Sequence, residues 1–163
     1  MVIIMRILTT EINFIELDNE MEELGFYSEG EILADDESMK EIIESGCIVY
    51  TSSLDECNTV TVNFTVESLA DVEEKGLDSS IIKVTSIDGD LTRYCVEWFS
   101  VKGEVGTNEE LFHDLDCARE AYENECYRLE RSSKEDKENY EIWLSSIDED
   151  GDMELIEKFK VTE

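Results

Sequence analysis

Apolar residues recur along this chain with two different periods, and the switches between them mark out its elements. In FIELDNEMEELGF, Phe14, Leu17, Met21 and Leu24 follow at spacings of three and four, one stripe of an amphipathic helix with Gly25 placed to end it. ADDESMKEIIESG predicts a second helix over 35–45, capped by Asp35 or Asp36, with Met39, Ile42 and Ile43 inward and Gly46 at its end. The longest helix is expected over 115–131, with Asp114 as N-cap and Leu115, Ala118, Tyr122, Cys126 and Leu129 along the buried stripe.

Elsewhere the period drops to two. VIIMRIL predicts an N-terminal strand, and SLADVEEKG a short helix or helical turn. Val60, Val62, Phe64 and Val66 alternate with Thr59, Thr61, Asn63 and Thr65, as in a sheet with one wet face. Tyr94, Val96 and Trp98 share a face in the same way. Three segments, 48–66, 81–99 and 142–159, each run from a β-rich arm through Ser-(Leu/Ile)-Asp and an acidic turn into a second β-rich arm. They predict three hairpins, related either by internal duplication or by convergence on one turn chemistry. The expected architecture is α+β: one domain over 1–163, its antiparallel sheet built from about three hairpins with helices mainly on one face. With no proline, no Gly/Ser linker and no low-complexity block the chain has no firm domain boundary, and only a soft subdivision is expected near 76–80.

Composition bounds the class. At 163 residues with 41% hydrophobic content, the chain can bury a core and is too apolar to be a disordered acidic tail. It contains no apolar run of membrane-spanning length, and MVIIMRILTT lacks the cleavage site of a signal peptide, so a cytoplasmic location is expected. Five cysteines without a CxxC pair, and one histidine, argue for reduced thiols rather than for zinc or a disulfide framework. Charge changes the picture most. Forty-three acids face thirteen Lys and Arg, a net charge of −30, and between Ile7 and Glu74 the only base is Lys40 against nineteen acids. Self-repulsion on that scale opposes compactness, so the charge is expected to serve a partner or the solvent.

Candidate chemistry is thin. Asp148, Asp150 and Asp152 alternate around Gly151 as if in a calcium loop, but counting from Asp148 puts Gly151 at position 4 and Phe159 at position 12, where an EF-hand needs glycine at 6 and glutamate at 12. What remains is a hairpin turn, with the weak millimolar cation association that crowded acids offer. His113 lies between Phe112 and Asp114, and a general base oriented by a carboxylate is conceivable, yet no GxSxG, HExxH or Cys/His signature accompanies it. Carboxylate pairs occur at every spacing and define no glycosidase site. GEVG at 103–106 is followed by acids that repel phosphate, and no phosphate-binding glycine motif occurs. Direct binding of DNA or RNA needs Lys and Arg to neutralise phosphates, and this chain has too few. No enzyme activity, cofactor or metal is expected.

Inverted, the same electrostatics give a positive expectation. Nucleic-acid-binding proteins carry basic channels matched to a backbone with one charge per roughly 1.7 Å of duplex axis, and a rigid carboxylate surface can occupy such a channel. In composition and size the chain resembles the acidic DNA-mimic anti-defence proteins of phages and mobile elements, of anti-CRISPR or anti-restriction type. That resemblance implies a non-enzymatic inhibitor of a basic nuclease, a CRISPR effector or restriction enzyme, that binds neither nucleic acid nor membrane itself. The residues expected to carry it lie in the base-poor stretch and on the turns: Glu16, Asp18, Glu20, Glu22 and Glu23, then Asp35, Asp36 and Glu37, then Asp55 and Glu56. An immunity protein against a basic nuclease toxin, or an acidic interaction module without mimicry, carries the same charge. Halophilic adaptation fits less well, because glutamates outnumber aspartates 29 to 14.

Overall fold

In the computed structural model the chain divides into two units, Met1–Leu91 and Thr92–Glu163, each with its own antiparallel sheet and its own apolar core. The structure describes residues 11–28, 36–56, 58–66, 68, 70, 81–103 and 108–162, with the backbone alone for 36–40. The strand expected over VIIMRIL, most of the helical turn in SLADVEEKG, Asp35 and the Met39 side chain lie outside the described residues.

The first unit runs β1 (Glu11–Asn13), α1 (Phe14–Glu23), β2 (Phe26–Ser28), α2 (Asp36–Ser45), β3 (Cys47–Ser52), β4 (Thr59–Val66) and β5 (Ile81–Asp88). Its strands lie in the order β1-β5-β4-β3-β2. Asn13 caps α1 by accepting from the Glu16 N–H at 2.8 Å, and Gly25 (φ 85°) and Gly46 (φ 68°) let the chain turn away after α1 and α2. The predicted stripe of α1 is fully buried: Phe14, Leu17, Met21 and Leu24 sit in one cluster with Ile48 and Tyr50 of β3, Val60, Val62 and Phe64 of β4, and Ile82 and Val84 of β5. Phe14 meets Phe64 edge to face with ring centres 5.3 Å apart. Thr59, Thr61, Asn63 and Thr65 take the wetter face, where the Asn63 amide donates to Ser86 Oγ and Asp88 Oδ2.

The second unit runs β6 (Arg93–Ser100), β7 (Glu109–Phe112), α3 (Leu115–Glu130), α4 (Lys134–Asn139), β8 (Tyr140–Ile147) and β9 (Met153–Phe159), with strand order β7-β6-β8-β9. Asp114 caps α3 through the Cys117 N–H at 2.9 Å, as its position predicts. Ala118, Tyr122 and Leu129 of α3 are buried with Val96, Ile142 and Leu144, while Leu115 and Cys126 are half-exposed.

Two of the three expected hairpins form, β3–β4 and β8–β9. The middle one does not. β5 pairs with β1 and β4, β6 pairs with β7 and β8, and the division between the units falls in the segment joining them rather than at 76–80. The Asp-Gly signal there has a different cause. Gly89 holds φ 131°, and a Cβ on it would stand 3.1 Å from both the Thr59 carbonyl oxygen and Val60 Cγ2, so the glycine serves close passage over β4 rather than a two-residue turn. The α+β class therefore stands, with two sheets in place of one. Among the described residues no helix is long and apolar enough to cross a membrane.

Candidate partner-binding surface

Burying Phe14, Leu17 and Met21 fixes the rotation of α1 and so decides where its acids point. Glu16, Glu22 and Glu23 are exposed, whereas Asp18 and Glu20 flank the buried stripe and are half-buried. Glu22 and Glu23 occupy the last turn of α1, which holds no base, and there they add to the negative end of the helix dipole. This arrangement opposes helix stability.

The β3–β4 turn meets that same end. The Ser53 N–H and Oγ both donate to the Gly25 carbonyl at 2.8 Å, while Ser52 Oγ accepts from the N–H groups of Leu54 and Asp55 at 3.1 and 3.2 Å. Asp55 and exposed Glu56, the latter at φ 56°, thus belong to a turn whose Ser53 is tied to the chain just after α1. The structure ties the turn that carries Asp55 and Glu56 to Gly25, the residue two positions beyond Glu23, with Glu16 farther along the helix. Asp36 and Glu37 open α2, but their side chains, like Asp35, lie outside the described residues.

A cleft of about 290 Å³ opens between α1, β2 and β3, lined by Asp18, Glu22, Phe26, Tyr27, Ser28, Tyr50 and Ser53. The Tyr50 hydroxyl donates to Asp18 Oδ1 at 2.6 Å, a short charge-assisted bond spanning 32 residues of sequence. Burial raises the Asp18 carboxyl above its ordinary value and the Glu22 charge adds to this, while the Tyr50 bond acts against both. Burial and Asp18 together hold the Tyr50 hydroxyl protonated, so it remains a donor. The register of β2 and β3 pairs Ser28 with Tyr50 and Tyr27 with Thr51, so Tyr50 shares the α1 face of the sheet with buried Phe26 while Tyr27 lies on the other. No local pattern in the sequence points to the Tyr50 contact with Asp18.

The second unit is acidic in a different way. Arg119–Glu157, Arg128–Glu125 and Lys134–Glu138 pair at 3.1, 2.8 and 3.8 Å, so part of its charge is compensated internally. Glu97 stands directly opposite Glu109 across β6 and β7, and burial followed by that repulsion raises its carboxyl. His113 is buried at the start of α3. In the β8–β9 turn, Asp148 Oδ1 accepts from the N–H groups of Asp150 and Asp152 at 3.0 and 2.8 Å, and Gly151 adopts φ 86°. The carboxylates of Asp148, Asp150 and Asp152 lie within 4.8 Å of one another, fewer ligands than the six to eight oxygens calcium takes. Desolvation and the three neighbouring carboxylates of Asp148, Asp152 and Glu149 raise Asp150.

Compared with protein-family models, with curated proteins and with solved structures, the chain matches none.

Proposed function

We propose that the protein is a non-enzymatic inhibitor that occupies the basic nucleic-acid-binding channel of a defence nuclease, a CRISPR effector or a restriction enzyme. One observation carries this reading. The first unit, with twenty-two acids against four bases, places Glu22 and Glu23 at the negative end of a helix whose last turn holds no base, where they work against its stability, and ties the turn bearing Asp55 and Glu56 to the chain just beyond it. Charge kept at a cost to folding is best explained by a cationic partner, which gains both steered encounter and release of counterions on contact.

The test is competition. The protein is titrated into nuclease complexes carrying labelled DNA or RNA, and it should displace the nucleic acid with an affinity that falls steeply as salt rises. Replacing Glu16, Glu22 and Glu23 by Gln keeps shape and removes charge, and should weaken displacement at least roughly tenfold, about 1.4 kcal/mol. The Asp35→Asn, Asp36→Asn, Glu37→Gln variant measures the contribution of the second acidic cluster. A ternary complex in which nucleic acid and protein bind the nuclease together, each at full affinity, overturns the reading.

A further inference from the structure

The second unit carries an open sheet edge. The strand order β7-β6-β8-β9 leaves the outer side of β9 without a paired strand among the described residues, and its side chains from Met153 to Lys158 are all exposed. Met153 is 55% exposed, Leu155 43% and Ile156 39%, three large apolar residues within four positions. An edge of this length and character is a template for another strand unless something covers it.

The faces of β9 follow from its register with β8. Met153, Leu155 and Lys158 stand opposite Ile147, Ser145 and Trp143, whereas Glu154, Glu157 and Phe159 stand opposite Ser146, Leu144 and Ile142, on the side that packs against α3. The pleat therefore shifts by one residue at Ile156, the extra residue of a bulge. Charge is graded along the same strand. Asp148, Glu149, Asp150 and Asp152 crowd the turn before it, while Lys158 and Lys160 lie at its far end. Residues 153–160 thus hold two acids against two bases, in a chain whose net charge is −30.

We infer that β9 pairs antiparallel with β9 of a second copy about a two-fold axis, so that two four-stranded sheets join into one of eight strands. The occupant follows from charge. Two copies at −30 repel over most of their surface, but an antiparallel approach here lays the lysine end of each strand along the acidic turn of the other. The bulge then selects the register, because residues that stand opposite each other must share a face on both sides of Ile156. Leu155 opposite Lys158 and Met153 opposite Lys160 meets that condition. The lysine stems then cover the two exposed apolar side chains, and the Lys160 ammonium lies beside the acidic turn. Setting Met153 opposite Lys158 also keeps the faces matched, but it brings Glu154 against Glu157 and is repelled.

The test is sedimentation equilibrium of the full chain at physiological salt, from about 10 μM to about 1 mM, the range in which a small interface shows itself. A monomer–dimer equilibrium is expected, with the larger species at twice 18.8 kDa. In a mixture of isotope-labelled and unlabelled protein, isotope-filtered NOEs should link the Leu155 methyls to the Lys158 side chain between copies. Leu155→Lys, at an exposed position whose substitution leaves the core intact, sets lysine against lysine and should raise the dissociation constant at least about tenfold. Lys160→Glu should raise it at least about threefold, whereas Val49→Lys, equally exposed but in the first unit, should not weaken the dimer. A monomer throughout that range overturns the inference, as does a dimer that survives Leu155→Lys, one without the Leu155–Lys158 contacts, or growth beyond two copies. No nuclease or nucleic acid is present, so each of these results is independent of the competition test.

Discussion

Asp18 shows how one residue couples folding to pH. Its carboxyl is raised in the folded state, first by burial and then by Glu22. The folded protein therefore takes up a proton here more readily than the unfolded chain. Its contribution to stability is fully present below the unfolded value near 3.8 and is lost as pH rises through the raised folded value. At neutral pH the ionised group is a net liability. Asp18→Asn, which keeps an acceptor for Tyr50, should raise the melting temperature at neutral pH, and the difference from wild type should shrink as pH is lowered into the carboxylate range. Paired thermal melts across that range check this, and a variant that melts lower than wild type at neutral pH contradicts it. The sequence made Asp18 a candidate through its place in a base-poor stretch, but it could not reveal Tyr50 as a partner. That contact depends on β3 lying beside α1, a tertiary fact with no local trace. The exposed acids were more legible, because Phe14, Leu17 and Met21 fix which side of the helix faces water.

At the scale of elements, the helices were read well and the strand pairings only in part. A stripe at spacings of three and four, ended by Gly25 in one case and opened by Asp114 in the other, is local information, and α1 and α3 form where it lies. The short strands β1, β2 and β7, and the helix α4 capped by Ser133, carry too few periodic residues to be seen. Pairing is a non-local matter, and the same Asp-Gly dipeptide has two meanings here. Gly151 sits in a true hairpin turn with open space around its Cα, whereas Gly89 passes close to β4. Gly151→Ala should cost about 1–2 kcal/mol, the ordinary penalty for a left-handed residue with a side chain. Gly89→Ala adds a steric conflict with Thr59 and Val60 to an unfavourable φ, so its cost should be larger, at least about 2 kcal/mol. Denaturant melts of the two variants give the order directly, and equal costs would mean that β4 yields to the added methyl group.

For the molecule as a whole, the division into units makes the charge unequal in effect. Twenty-two acids against four bases in the first unit compare with twenty-one against nine in the second, where Arg119, Arg128 and Lys134 pair with glutamates. Raising NaCl from low to physiological concentration should stabilise both units by screening self-repulsion, but the first more, because screening also weakens the second unit's surface pairs. Hydrogen exchange should therefore slow more for β4 amides than for β8 amides as salt is added; a larger effect on β8 would show that specific pairs outweigh the global field. The net charge was fully legible in the sequence, whereas its division at Leu91 was not, because the boundary lies inside a segment patterned like the true hairpins on either side. The same division governs what light can report. Trp98, whose indole donates to Glu125, and Trp143, stacked on Phe99 with ring centres 3.8 Å apart, are the chain's two tryptophans, and both belong to the second unit. Emission excited at the red edge of the tryptophan band is thus an optical label for one half of the molecule. Loss of structure around the cleft between α1, β2 and β3, whose described lining includes Phe26, Tyr27 and Tyr50 but no tryptophan, proceeds in the dark unless it is followed by tyrosine absorption or by a label placed there.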